Sequence, residues 1–595
     1  MIYSRLIVLL LLLHVCGAVA NAQQPNVIFI LTDDQGYGDL GCHGNPWLKT
    51  PNIDALHASS ARYTNFHVGT TCAPTRAGLM TGKYCNKVGV WHTVRGREIL
   101  RRREVTMAEI FKKAGYTTGI FGKWHLGDHY PFRPQDRGFD EVLVHRAGGV
   151  GQTPDYWNNN YFDDTYLHNG KEQQYPGYCT DVWFTQAEQF IKQSRKRPFF
   201  CFISTNSPHD PTYVDRKYSA PYENNPSIVS AAFYAMIANI DERVGQLIAT
   251  LKKEGLYENT IIIFMTDNGT AGGAQLDARG DLLKGYNAGM RGRKVSPYEG
   301  GHRVPFFVHW EAGGINKGQD INALTSYVDV LPTLMNLCGI KSTDAPALDG
   351  LNTKPLLAND PTQFANRVIF SDTQRGERLE KGRNASVMKG NWRLVFGKEL
   401  YDVEKDPGQH TDVATQNPTV VAELTSAYEQ WWADVSKHAD EYSRSMIGAA
   451  QEPVSCLTAH DLHVEGKEEP SWSQVTVRKG EGPNGFWAVE VAQSGRYEIE
   501  LRRYPAESKL ALGASAPPNE QVYGAPPYPA GVAINFTNAV LKLDKTTYRQ
   551  KVDNKALGVR FVQQLKKGPL TLSTEMTDAA GVVRPAYYVY VRRLN

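Results

Sequence analysis

Carboxylate and amide side chains follow two apolar segments of this chain in a pattern that suits a metal ion. Asp33 and Asp34 come directly after one apolar run, and Asp267 and Asn268 come directly after another. An all-oxygen set of this kind is what a hard divalent cation prefers, and calcium fits best. A single Asp after a strand is more often a turn or helix cap, so the interpretation depends on the two pairs meeting in space.

Basic residues at three other places could bind an anion and move protons. Lys123 and His125 follow a predicted strand at 116–121, and side chains two residues apart on an extended chain point to the same side. His209 lies just past another apolar run, where a histidine that titrates near neutral pH could protonate a leaving group. Lys294 adds a second compact positive charge. An isolated Lys-x-His pair is more often a surface lysine and a core histidine.

Three apolar runs must position these groups, at 26–31, 198–203 and 261–265. Each is a short continuous segment of the kind that is buried on both faces of a parallel sheet. Between the last two, the segment 230–253 carries apolar residues at helical spacing and is predicted to be an amphipathic crossover helix. Strand and helix in alternation predict an α/β fold, whose ligands gather beyond the carboxyl ends of the strands.

A cysteine motif indicates a specific chemistry. Residues 72–82 read Cys-Ala-Pro-Thr-Arg-Ala-Gly-Leu-Met-Thr-Gly and resemble the signature around the modified cysteine of type I sulfatases, in the alkaline phosphatase superfamily. Taken alone, Cys72 could equally be a buried structural thiol. Further segments resemble motifs of the same family in the expected order, and the resemblance spans roughly residues 25 to 435. These segments are 26–39, 122–127, 206–211, 266–269 and 291–305.

The resemblance implies a sulfate ester hydrolase. In that family a separate maturation enzyme oxidises the cysteine to formylglycine, whose hydrate attacks the ester, is transiently sulfated and releases inorganic sulfate. The implied partners are that formylglycine-generating enzyme and a sulfated carbohydrate. One calcium ion is implied, held by Asp33, Asp34, Asp267, Asn268 and the modified Cys72.

The resemblance also implies the roles of individual residues. Arg76 balances charge on the formylglycine, His125 takes a proton when the sulfated hydrate collapses, and His209 is the leaving-group acid. The implied catalytic set is Cys72, Arg76, Lys123, His125, His209 and Lys294. The predicted substrate-binding set is Lys123, His209 and Lys294 together with the neighbouring Trp91, His92, Arg291 and Arg293.

The first 22 residues suggest an exported protein, and the overall charge bears on its partners. Arg5, the apolar run 6–13 and the small residues at 18–22 have the parts of a secretory signal, so residues 1–22 are predicted to be removed and the protein to be periplasmic or secreted. This apolar run is too short to span a bilayer comfortably, and no other apolar run in the sequence is long enough to do so. The 65 basic and 62 acidic residues give a net charge of +3, too balanced to indicate nucleic acid or a membrane surface as a partner.

The predicted fold is an alkaline-phosphatase-like mixed sheet flanked by helices, followed by smaller β-structures. Residues 23–360 are expected to form the catalytic domain. Residues 361–450 form a small antiparallel subdomain, with strands near 391–396 and 400–402 and a helix at 418–435. Residues 451–595 are expected to form an appended domain of β-sandwich type, because residues 486–491 and 496–501 alternate as strands do.

Two other functions remain open from the sequence. One is a phosphoesterase of the same superfamily, although Cys72 and a lysine-rich anion site replace the nucleophile and second metal set that such enzymes use. The other is a catalytically silent protein whose β-domain binds carbohydrate through Trp472, Trp487 or Tyr497. We expect these aromatics to lie in the core of that domain instead, because Trp487 alternates in register with apolar neighbours.

The substrate is less well defined by the sequence. Export and the bacterial character of the motifs suggest fragments of sulfated polysaccharide. The run 286–291 resembles that of bacterial sulfatases that act on galactose-type sugars sulfated at the fourth carbon. The sugar, the sulfate position, exo or endo action, disulfide pairing and oligomeric state stay open at this point.

Overall fold

The structure is a computed structural model that describes residues 24–341, 347–519 and 526–594. The predicted signal segment 1–22 lies outside these ranges. Within them, no helix has both the length and the apolar character needed to cross a membrane. The seven cysteines in these ranges are all unpaired thiols.

Ten of the first fourteen strands form one mixed sheet. Its order is β13-β2-β12-β9-β1-β8-β4-β5-β6-β7. The central strands β9, β1, β8, β4 and β5 are parallel, whereas β12 is antiparallel to β9. The fourteen strands are β1 (Asn26–Thr32), β2 (Ala61–Tyr63), β3 (Phe66–His67), β4 (Thr117–Lys123), β5 (Glu141–His145), β6 (Thr165–His168), β7 (Lys171–Gln174), β8 (Phe199–Ser204), β9 (Thr260–Thr266), β10 (Ala274–Leu276), β11 (Leu282–Gly285), β12 (Phe306–His309), β13 (Asp320–Ile321) and β14 (Thr325–Ser326).

Helices cover both faces of this sheet. Alternate residues of β1 enter different cores: Phe29 packs in the core that includes Leu331, and Ile30 packs in the core that includes Val244. The predicted α/β class is therefore confirmed, as is the crossover helix, which is α6. The helices are α1 (Pro51–Ala58), α2 (Cys72–Thr81), α3 (Met107–Lys113), α4 (Cys179–Ser194), α5 (Arg216–Ser219), α6 (Ala231–Lys253), α7 (Glu299–His302), α8 (Val330–Leu337), α9 (Lys354–Leu357), α10 (Pro418–Val435) and α11 (Gln474–Lys479).

A small antiparallel sheet follows the large one, as predicted. Its four strands are consecutive in the chain and pair in the order β15-β16-β17-β18, and α10 packs on them. The predicted helix at 418–435 is confirmed to the residue. The strands are β15 (Val368–Ser371), β16 (Ser386–Lys389), β17 (Trp392–Val395) and β18 (Glu399–Asp402).

The remaining strands form two facing sheets, here called the C-terminal sandwich. One sheet has the order β19-β21-β26-β23-β24 with β27 beside β26, the other has the order β20-β28-β22-β25, and a single apolar core lies between them. The first strand begins before residue 451, where the sequence placed the boundary. The strands are β19 (Ser445–Ile447), β20 (Val454–Thr458), β21 (Phe486–Val491), β22 (Gly495–Arg502), β23 (Phe536–Leu543), β24 (Thr546–Lys551), β25 (Val559–Leu565), β26 (Gly568–Asp578), β27 (Val583–Arg584) and β28 (Tyr588–Arg593).

The predicted position of the sandwich aromatics is right for two residues and wrong for one. Trp487 and Tyr497 are buried in the core between the sheets. Trp472 is 42% exposed and belongs to no strand, so the period-two alternation that buries the other two does not apply to it. Trp472 is therefore available for contacts outside the sandwich.

Candidate active site

The predicted site residues meet at one edge of the large sheet. The four adjacent parallel strands β9, β1, β8 and β4 all end there, because parallel strands share one direction. Asp33 and Asp34 follow β1, Lys123 ends β4, and His209 follows β8 by a short loop. The expectation that polar groups gather beyond the carboxyl ends of the strands is therefore confirmed for this sheet.

Three carboxylates form the floor of the site. Oxygen atoms of Asp33, Asp34 and Asp267 all lie within 4.8 Å of one another, and the three residues are 0%, 2% and 0% exposed. Asp34 has a φ of 67°, in the left-handed region that is costly for most residues other than glycine and that aspartate adopts more readily than most. Three acidic groups this close repel one another strongly unless positive charge compensates them.

Three cations compensate these carboxylates, one for each. The Lys123 Nζ is 2.6 Å from Asp33, and the Lys294 Nζ is 2.7 Å from Asp34. The third cation, Arg76, donates to Asp267 from Nε at 3.1 Å and from an Nη at 2.8 Å. These three positive charges could also meet an anionic substrate.

Oxygen atoms in this group are left for a cation. The Asp33 Oδ1 and the Asn268 Oδ1 are buried and have no hydrogen-bond partner among the described residues. The Asn268 amide donates to Asp34 Oδ1 at 2.9 Å, which directs its own oxygen away from that carboxylate. Because a buried acceptor without a partner is costly, these oxygens fit the ligands of an ion. The set also matches the hard oxygen donors that calcium takes.

Cys72 lies beside the carboxylates and beneath a lysine. It is the first residue of α2 and is 2% exposed. Its Sγ lies within 4.8 Å of ligand atoms of Asp33 and His209, and 3.8 Å from the Lys294 Nζ. Burial raises the pKa of the Cys72 thiol to about 12, although Lys123 and Lys294 act to lower it. At neutral pH the encoded side chain is therefore a neutral thiol, which is a poor nucleophile.

The two histidines are oriented by backbone carbonyl groups. The His209 Nδ1 is 2.6 Å from the Asp210 carbonyl oxygen, which assigns the hydrogen to Nδ1 and leaves Nε2 facing the site, 3.8 Å from Asp34. Burial, with Lys294 and Lys123, lowers the pKa of His209 to about 4, although Asp34 acts to raise it. His209 is therefore neutral in the substrate-free protein at neutral pH.

His125 presents an unpartnered nitrogen. Its Nε2 is 2.8 Å from the Thr93 carbonyl oxygen, and its Nδ1 is buried without a hydrogen-bond partner among the described residues. Burial and then Lys123 lower the pKa of His125 well below its usual value. A β-carbon on Gly148 would lie 2.4 Å from the ring Cε1 of His125, so only glycine leaves room for this ring orientation. His125 is thus held as a neutral acceptor.

These groups open into one small pocket of about 120 Å³. The pocket brings Cys72, His125, His209 and Lys294 together, and Lys123 and Arg76 lie beneath them as buried residues. Eight further residues line it: Thr71, Thr93, Val94, Gly148, Gln152, Arg375, Glu469 and Trp472.

All eight of these lining residues lie outside the motif segments, and three of them come from far beyond the last motif, which ends at residue 305. Arg375 lies in the loop after β15, and Glu469 and Trp472 lie in an irregular segment between β20 and β21. The sequence offers no motif for Arg375 or Glu469. The sequence marked Trp472 as a possible carbohydrate contact, although we expected it to lie in the core of the β-domain.

Trp91 and His92, predicted as substrate contacts, are not part of the pocket lining. Trp91 is 1% exposed, and its indole N–H donates to the Gly376 carbonyl oxygen at 3.2 Å. His92 is 1% exposed, and its Nε2 lies 3.5 Å from a carboxylate oxygen of Glu469. Both residues therefore support the pocket wall from behind.

Arg291 and Arg293 are likewise turned away from the pocket. The Arg291 guanidinium stacks 3.8 Å above the Tyr298 ring and donates to the Gln409 carbonyl oxygen at 3.0 Å. Arg293 is exposed and donates to the Ala271 carbonyl oxygen at 3.2 Å. Proximity in sequence to Lys294 indicated these two arginines, but the turns of the loop direct them elsewhere.

Known proteins are similar to this chain in sequence and in fold. The family model described as Sulfatase matches residues 25–340. The chain is 32% identical over 450 residues to human arylsulfatase A, which covers 70% of this chain and 84% of the relative. It is 30% identical over 477 residues to the N-acetylgalactosamine-6-sulfatase of Mus musculus, covering 74% and 88%. The crystal structure of Ps i-CgsB in complex with k-i-k-neocarrahexaose superposes with a TM-score of 0.63 at 28% identity, covering 71% of this chain and 96% of that one.

The similarity to these proteins covers the part of the chain that forms the large sheet. The family match extends over more than half of the chain and includes β1, α2, β4, β8 and β9, the elements that carry the site. The structural match confirms the expected sulfatase-type fold, in which a large mixed sheet precedes antiparallel sheets. The chain therefore belongs to the sulfatase family, whose members are sulfuric ester hydrolases.

Proposed function

We propose that this protein hydrolyses sulfate esters of carbohydrates, with a formylglycine made from Cys72 as its nucleophile. The observation that carries the proposal is the position of Cys72, whose Sγ lies within 4.8 Å of Asp33 and His209 and 3.8 Å from the Lys294 Nζ. The name of the mouse relative and the carrahexaose bound to Ps i-CgsB support a carbohydrate substrate. A separate maturation enzyme would be the partner that modifies Cys72.

The electrostatics of Cys72 support its modification. A thiol whose pKa is about 12 is protonated at neutral pH and cannot attack an ester at a useful rate. Oxidation to the aldehyde would supply a hydrate with two hydroxyl groups, one to attack the sulfur and one to expel sulfate afterwards. Cys72 is buried at the start of α2, so solvent water has little access to this side chain.

The cations and histidines of the site have complementary tasks. Lys123 and Lys294 supply fixed positive charge for the sulfate oxygens in the transition state. His209 presents Nε2 to the ester oxygen and gives it a proton, because the charge of the arriving anion raises the pKa of this histidine from its low value. His125 offers its unpartnered Nδ1 as the acceptor for the proton of the second hydroxyl.

Calcium is the proposed metal ion. Asp33, Asp34, Asp267 and Asn268 would hold it, and the unpartnered oxygens of Asp33 and Asn268 support this assignment. The ion would add positive charge for the sulfate oxygens.

Calcium at 100 times its dissociation constant should stabilise the apoprotein by about 2.7 kcal/mol, measured as a higher midpoint of thermal unfolding. The Asp33→Asn variant should respond much less. An equal response in both proteins would contradict the site.

Export is proposed as well, to the periplasm or the medium. It is supported by the charged, apolar and small-residue parts of segment 1–22. Amino-terminal sequencing of the mature protein checks this directly, since cleavage near Ala22 is expected.

Sulfate release from a panel of sulfated saccharides tests the function. The protein is produced with a maturation enzyme and incubated with sulfated galactosides, glycosaminoglycan disaccharides and algal oligosaccharides. Release of inorganic sulfate is expected from at least one of them. Phosphate monoesters of the same sugars form the comparison, and faster release of phosphate would favour a phosphoesterase instead.

Gly148→Ala should lower turnover without unfolding the protein. The added β-carbon would lie 2.4 Å from the His125 Cε1, so the His125 ring must move. A displacement of about 1 Å at a catalytic group costs on the order of 10²-fold in kcat. Gly149→Ala is the matched control, since its β-carbon would come no closer than 3.3 Å to Gln152. Equal kcat values for the two variants would show that the ring position is not limiting.

A further inference from the structure

One wall of the pocket is an irregular segment of the C-terminal sandwich region, here called the wall segment, residues 464–474. Its first part is tied to the catalytic domain by one buried arginine. Arg95 donates to the carbonyl oxygens of Val464 and Glu468, and its Nε is 3.3 Å from the Glu469 carboxylate. Arg95 is 0% exposed, so these bonds are shielded from water.

The last part of the wall segment is tied to a different loop of the catalytic domain. The Thr153 hydroxyl donates to the Ser471 carbonyl oxygen at 2.6 Å, and the Thr153 N–H donates to the Trp472 carbonyl oxygen at 2.8 Å. The Gln474 amide donates to the Asp155 carbonyl oxygen at 3.2 Å. The backbone of Trp472 is therefore fixed, while its side chain stays 42% exposed at the pocket.

An exposed indole on a fixed backbone beside a catalytic pocket is suited to a sugar. The large flat ring offers apolar area at little cost in conformational entropy, and its backbone is ordered before any ligand binds. The C–H groups on one face of a pyranose ring could pack against it. The wall segment would thereby bring part of the C-terminal sandwich region into contact with the substrate.

Arg375 provides a positive charge that acts on Glu469 only from beyond ion-pair distance. Burial would raise the pKa of Glu469, but His92, Arg95 and then Arg375 lower it. Arg375 lines the same pocket and is partly buried, and within the described ranges no hydrogen bond or ion pair is formed by its guanidinium group. Glu469, the carboxylate on the same pocket wall, is already bonded to Arg95 at 3.3 Å and lies 3.5 Å from His92. By contrast, Lys123 and Lys294 deeper in the site each contact a carboxylate.

We propose that Trp472 and Arg375 form a recognition subsite for an acidic saccharide. Trp472 would pack on a sugar ring next to the scissile sulfate, and Arg375 would bind a second anionic group, either a carboxylate or another sulfate. The planar fork of arginine suits both groups, because each presents two oxygens. The substrate class is thus a saccharide with at least one anionic group besides the sulfate that is removed. This inference rests on the proposed function for its reaction.

Matched pairs of disaccharides test the role of Arg375. One pair is a sulfated hexosamine–uronate disaccharide and its carboxyl-reduced form, and the other is a disulfated disaccharide and its monosulfated form. Arg375→Gln should lower kcat/KM by roughly ten- to a hundredfold for the member with the extra anion, as expected for a charged hydrogen bond. It should change the other member by less than about threefold. Arg592→Gln is the control, since Arg592 is exposed and pairs with Glu498 on the surface of the sandwich, outside the wall segment.

Substitution at Trp472 tests the stacking platform. Trp472→Ala should lower kcat/KM for every disaccharide in the panel by roughly tenfold, mostly through KM, and Trp472→Phe should recover most of that loss because a ring remains. The proposed subsite is wrong if Arg375→Gln lowers kcat/KM equally for both members of a pair, or if Trp472→Ala leaves kcat/KM unchanged. Neither result would contradict the proposed hydrolase function.

A binding measurement separates failure of the subsite from failure of the proposed function. Calorimetry with the Cys72→Ala protein needs no turnover. Weaker binding of the dianionic disaccharides when Arg375→Gln or Trp472→Ala is added would support the subsite even if the wild-type protein released no sulfate. Unchanged binding in both double variants would overturn the subsite whatever the wild-type protein hydrolyses.

Discussion

Cys72→Ala is expected to lower the rate of sulfate release by a factor on the order of 10⁴ or more, because alanine cannot be converted to the formylglycine whose hydrate attacks the ester. The remaining cations could still bind the substrate, so KM should change far less than kcat. Mass spectrometry of the wild-type peptide should show that the Cys72 side chain has lost its sulfur and two hydrogen atoms and gained an oxygen. Sulfate release by ion chromatography gives the rate.

Two controls make this expectation specific. Cys338→Ala removes another buried thiol, which lies just after α8 and outside the pocket lining, and should keep the wild-type rate. Wild-type protein made without a maturation enzyme should be as inactive as Cys72→Ala, since its thiol has a pKa of about 12 and stays protonated. An active unmodified thiol protein would exclude the formylglycine mechanism.

Glu299→Gln is expected to lower the stability of the protein more than any other substitution proposed above. Glu299 accepts a hydrogen bond from the Arg393 Nε at 2.6 Å, and both side chains are 1% exposed. Burial by itself would raise the pKa of Glu299, but Arg393 and His67 hold it well below its usual range. Removing the charge leaves Arg393 buried and unpaired, which should cost about 3–5 kcal/mol. Because Arg393 lies in β17 and Glu299 in α7, the variant should loosen the small sheet from the catalytic domain.

Native-state hydrogen exchange is the suitable measurement, since a protein with several cores need not unfold in one step. The opening free energy of amides in β15–β18 should fall in Glu299→Gln. Glu423→Gln is the matched control in the same part of the chain: Glu423 is 50% exposed and pairs with Lys389 of β16, so its loss should cost less than about 1 kcal/mol. Similar effects of the two variants would show that the Arg393 pair is not a structural link.

The strands and the groups that follow them were predictable because both depend on local sequence. A continuous apolar run becomes a strand buried on both faces, and the polar residues directly after it must emerge at the edge of the sheet. For this reason Asp33, Asp34, His209 and Asp267 were found together where the pattern indicated. Cys72 and Lys294 lie outside these strands, and their place near the same edge was expected only from the family motifs.

Only the tertiary structure decided what surrounds that edge. Trp91 is close to the nucleophile in sequence but is buried behind the wall, and Trp472 is 400 positions away from Cys72 in the numbering but lines the same pocket. The path of an irregular segment depends on long-range hydrogen bonds, such as those from Arg95 and Thr153, and these carry no local periodicity. The sequence by itself therefore determined the chemistry of the site, whereas the packing of distant segments determined which side chains can meet the sugar.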